Sequence, residues 1–112
     1  MSLSFPPPRL IEALQGNEVL ARGMVVRFIE NTPALIFELK QAAEVHDSGS
    51  AHGIAFRLRS HYRALGMFEA LHWIDQVCKS MQLAEASGAA RREEGIDALL
   101  ALVDDLSNAL KG

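Results

Sequence analysis

The chain has 112 residues, 49% of them apolar and 22% charged, which suits one domain around a single modest core. A net charge of −3 excludes the broadly basic surface that general nucleic-acid binding needs. The one cysteine, Cys78, has no internal disulfide partner, and no apolar run approaches the length of a membrane span, so a cytoplasmic protein with no membrane partner is expected.

The N-terminal MSLSFPPP lacks the basic and apolar regions of a secretory signal. Pro8 can open a helix, because the missing N–H matters least in a first turn, and Arg9 to Leu14 then reads as a short helix ending near Gly16. Asn17 is the candidate N-cap of the next helix. Leu20, Met24, Phe28, Leu35, Leu39 and Ala42 continue its apolar stripe to about Val45. Pro33 interrupts that stripe: either the helix bends there, or Thr32 caps a fresh one. One long bent helix is the favoured reading.

His46 to Ser50 reads as a turn into a central helix, and Gly66, which can adopt the left-handed conformation, stops it. Met67, Ala70, Leu71, Ile74, Val77, Cys78 and Met81 mark a further helix ending near Ser87-Gly88. A last helix runs from about Ala89 to Leu110 on a seam of Ile96, Leu99, Val103, Leu106 and Leu110, with Gly95 as a soft spot costing about 1 kcal/mol against alanine. Period-two alternation is absent. The expected fold is therefore all-α: an antiparallel up-down-up-down four-helix bundle over residues 16–112, with an N-terminal segment and short capping helix over residues 1–15.

The central helix has two unlike faces. Ala51, Ala55, Leu58, Tyr62 and Leu65 form its packing stripe, whereas His52, Phe56, Arg59 and Arg63 recur on another side at about 100° per residue. No acidic residue occurs between Asp47 and Glu69, so a net-acidic chain carries a locally basic helix.

The segment from Ala55 to Gly66, A-F-R-L-R-S-H-Y-R-A-L-G, resembles the signature of histidine phosphotransfer (HPt) domains. That signature reads Ala-His-x-Leu-Lys-Gly/Ser, then small residues, then Leu-Gly. Ala55, Leu58, Ser60, Leu65 and Gly66 match in register, and Arg59 takes the lysine position with the same charge. Phe28, the Asn-Thr-Pro at 31–33 and the helix after Leu65-Gly66 extend the likeness over about residues 9–110. The departure is Phe56, where the family carries its phosphoacceptor histidine. A phenyl ring has no nitrogen lone pair and cannot hold phosphate. His61 and Arg63 also stand where the family has small residues, which places its usual docking mode in question.

The resemblance implies a two-component phosphorelay module without catalytic residues, cofactor or metal. It would dock the receiver domain of a response regulator or hybrid kinase through Phe56, Arg59, Ser60, Arg63 and His52 of the central helix, together with the neighbouring face of the long second helix. Phe56 lies off the packing stripe, so it is expected to be exposed rather than core. Arg59 is either a solvated arginine or a partner for a receiver's acidic cluster. His52, one turn or about 5.4 Å before Phe56, is either a solvated residue or a displaced acceptor. His61 lies about 140° round from Phe56, while His46 and His72 have no partners at zinc-ligand spacing. A bundle that only resembles the family and binds something unrelated is the remaining alternative. Cys78 reads as a core residue and Trp73 as a seal on the bundle.

Overall fold

A computed structural model describes residues 8–111, with side chains from Leu10 onward. The N-terminal MSLSFPPP, which does not read as a secretory signal, lies outside them apart from Pro8. The described residues form five helices and no strand: α1 Pro8–Ala13, α2 Glu18–Glu44, α3 Ser48–Ala64, α4 Glu69–Ser80 and α5 Glu85–Lys111. Helices α2 to α5 share one core, in which Leu39, Leu58, Ile74 and Leu99 are fully buried. Leu10 joins it from α1, which packs on α2. None of the five helices is long and apolar enough to cross a membrane.

The Asn17 side chain accepts a 3.0 Å hydrogen bond from the Leu20 N–H and starts α2. The helix then passes through Pro33 without a break. Thr32 caps nothing: it is buried within the helix, and its Oγ1 has no hydrogen-bond partner. Ile36, Leu39 and Ala43 beyond the proline continue the buried face of Ala21, Val25 and Phe28. Tertiary burial on both sides thus sustains a helix that local propensity would interrupt. The first turns are phased one residue differently from the predicted stripe. Ala21 and Val25 face the core, whereas Leu20 is exposed and Met24 only half-buried.

Helix α3 begins earlier than expected, within the segment predicted to be a turn. His46 adopts a left-handed conformation (φ 57°), and the Asp47 carboxylate accepts a 3.1 Å hydrogen bond from the Ser50 N–H. Hydrogen bonds from the Ser50 side chain and backbone hold the Asp47 carboxyl below its ordinary range. The Ser48-Gly49-Ser50 run has weak helix propensity, so this cap is what lets α3 include it. At the other end Gly66 has φ 73°, and the Met67 N–H donates back to the Tyr62 carbonyl.

The end of α4 and the start of α5 also depart from the predicted boundary. Helix α4 stops at Ser80, and Gly88 lies inside α5 rather than between the two. A Cβ at Gly88 would sit 2.5 Å from the Ser80 carbonyl oxygen. One at Gly95 would sit 2.7 Å from Val77 Cγ2 and 3.1 Å from the Trp73 carbonyl oxygen. The residues that read as a helix stop and a soft spot are instead two contact points, two turns apart, where α5 approaches α4. Tyr62 ties the other elements together. Its hydroxyl donates a 2.9 Å hydrogen bond to the Leu99 carbonyl of α5, and its ring meets Phe28 of α2 edge-on at 5.0 Å.

Candidate functional site

The outer strip of α3 follows from the burial of the opposite one. Ala51, Ala55, Leu58 and Tyr62 are all fully buried, so their phase turns Phe56 away from the core, where it is 69% exposed. An exposed ring of this size leaves a large apolar area available for contact.

The polar neighbours of Phe56 are held in different ways. Ser60 is exposed, and its Oγ donates a 3.3 Å hydrogen bond to the Phe56 carbonyl one turn back, which keeps the hydroxyl against its own helix. His52 is also exposed. Its Nδ1 lies 2.6 Å from the Ser48 carbonyl oxygen, and a carbonyl can only accept, so this bond requires the proton on Nδ1. In the neutral form of the ring, Nε2 then carries the lone pair. Arg59 is half-buried. Burial pushes the Cys78 thiol up, and the Arg59 guanidinium partly offsets that effect, so the two side chains are electrostatic neighbours. Arg63, exposed on the last turn of α3, borders a shallow depression with Glu12, Ala13, Ala64 and Phe68.

Phe56, Arg59, Ser60, Arg63 and His52 therefore belong to one side of one helix. Arg59 is the half-buried member of the set, whereas the other four are exposed. His61 is separated from this set: it faces α2 in a groove with Met24, Arg27 and Asn31. His72 stacks edge-on with Trp73 at 4.9 Å, and Trp73 is half-buried against the core. Cys78 is a buried free thiol. Among the described residues no three His, Cys, Asp or Glu side chains are grouped to hold a metal ion.

No family model, no curated protein and no solved structure matches this chain. The reading of the site therefore rests on its own residues and on the signature within α3.

Proposed function

We propose that the chain is a phosphorelay module of a two-component system: an HPt-like bundle, with helices alternating in direction, that lacks the acceptor histidine. It docks the receiver domain of a response regulator or hybrid histidine kinase in the cytoplasm without transferring phosphate. The observation that carries this reading is the exposure of Phe56 at the acceptor position of the signature, on one strip with two arginines. Burying the ring against a partner contributes about 1.5–3 kcal/mol, and Arg59 and Arg63 complement the acidic cluster of a receiver. Occupying a receiver in this way competes with phosphate-carrying HPt proteins.

The test is titration of the whole chain against a panel of isolated receiver domains. Binding at tens of micromolar or tighter, weakened at least about tenfold by Phe56→Ala, supports docking. No binding across the panel, or binding indifferent to Phe56, overturns it.

The hydrogen bond of His52 favours a second reading, in which this histidine is a displaced acceptor. With Nδ1–H donated to the Ser48 carbonyl, Nε2 is free to attack an aspartyl phosphate. A new N–P bond forms there as the P–O bond to the receiver aspartate breaks, and the Ser48 carbonyl steadies the positive charge gained by the ring. Incubation with a receiver phosphorylated by acetyl phosphate decides between the readings. Acid-labile phosphate on the parent chain, lost in His52→Ala, establishes the relay; an unlabelled parent leaves docking alone.

A further inference from the structure

A groove runs between α2 and α3. Met24, Phe28 and Leu65 give it an apolar floor, Ala64 keeps one wall low, and Arg27, Asn31 and His61 stand along it. These residues recur at steps of three and four on each helix, so two adjacent turns of α2 face the last turns of α3. The volume is about 250 Å³, close to the low end of small-molecule pockets. The chain has 14 acidic residues, yet none lines this groove. Phe28, at its floor, is itself fixed by the edge contact with buried Tyr62.

We propose that this groove binds a small amphipathic organic anion, a monocarboxylate with a short apolar tail. The tail lies on Met24, Phe28 and Leu65, and the carboxylate accepts hydrogen bonds from the Arg27 guanidinium and the Asn31 amide. Arginine suits this role because its fork matches a carboxylate in bidentate geometry. A carboxylate also finds no like charge to repel it among the lining residues. The neighbouring depression, reached across Ala64, contains Glu12. That carboxylate disfavours extension of an anionic ligand in that direction, which favours a compact molecule over a long acidic peptide. The groove lies beside the docking strip rather than on it, because His61 is about 140° from Phe56 around α3.

The experiment is a titration of the isotope-labelled full chain with octanoate, followed by backbone amide shifts, with octanamide and octylammonium as matched probes. The expected result is saturable shifts at Arg27, Asn31, Ala64 and Leu65, with a dissociation constant of about 1 mM or tighter. Octanamide is expected to bind at least about tenfold more weakly, and octylammonium to leave these amides unmoved. Arg27→Gln should abolish the preference for octanoate over octanamide, and Ala64→Leu should block both while the thermal midpoint stays near that of the parent. The proposal is overturned if octanoate leaves these amides unmoved, if all three probes act alike, or if shifts spread to exposed Phe37 and Phe56.

Discussion

The α4–α5 pair and the α2–α3 pair are built from similar materials and closed in different ways. Both are amphipathic helices joined by short connections, and both contribute to the same core. Between α4 and α5, Gly88 and Gly95 bring one helix against the backbone of the other, leaving no room for a single methyl group. Between α2 and α3, larger side chains hold the surfaces apart at one end, and a groove remains. Two glycines of the second pair face open space: a Cβ at Gly23 or Gly53 meets no atom within 4 Å, and one at Gly49 meets only Asp47 Oδ1, at 3.8 Å. One seam is sealed for stability, and the other keeps its outer surface available for contacts. The same residue type therefore has opposite meanings on the two sides of the molecule.

The sharpest way to break this comparison is to add methyl groups on both sides. Gly88→Ala places its Cβ against a backbone carbonyl that cannot turn aside, so it should destabilise by about 1–3 kcal/mol in denaturant unfolding. Gly95→Ala should cost less, because the nearest atom is the tip of a valine side chain and the helix gains propensity. A stabilised Gly88→Ala protein would show that the two helices are not closely packed.

Tyr62 joins the two halves, and its loss should be the next largest effect. Tyr62→Phe removes the hydrogen bond to the Leu99 carbonyl and should cost about 1 kcal/mol. Burial pushes the Tyr62 hydroxyl well above its ordinary range. Its folded-state pKa is thus raised over the unfolded one, so its contribution is complete below the ordinary tyrosine value of about 10 and lost as pH rises beyond it. Because it is the one tyrosine in the sequence, tyrosinate absorbance reports it directly, and ionisation should coincide with unfolding. Ionisation at an ordinary tyrosine pH in a chain that stays folded would contradict its burial.

Gly23→Ala and Gly53→Ala should each stabilise by about 0.5–1 kcal/mol, since both glycines are exposed within helices and surrounded by open space. Thermal midpoints should rise for both. A fall would mean that the α2–α3 side is as tightly built as the other.

The all-helical fold was legible in the sequence, and the features that were not have specific causes. The packing stripe of α3 was readable because small and large apolar residues recur there with one phase, and that phase alone turns Phe56 outward. The Asp47 cap was hidden by the Ser-Gly-Ser run after it, which resembles a turn until the hydrogen bond to Ser50 is seen. Gly88 was misplaced because a glycine that ends a helix and one that admits a neighbouring backbone look alike in one dimension. Only the Ser80 carbonyl distinguishes them. At the start of α2, Leu20 and Met24 offered a more hydrophobic stripe than Ala21 and Val25. The core selected the smaller pair, in phase with Thr32 and Leu39. The groove at Arg27 and His61 has no linear signature, since it depends on which side chains of two separate helices stop short of each other.

The most direct measurement is to restore an imidazole at the exposed position of α3. Phe56→His changes a solvent-facing side chain, so the fold should be kept within about 0.5 kcal/mol. The variant is incubated beside the parent with receivers phosphorylated by acetyl phosphate. The account predicts acid-labile phosphate on the variant and none on the parent. A folded variant that gains no phosphate from receivers able to label an active HPt protein would contradict the assignment of Phe56 to the acceptor position.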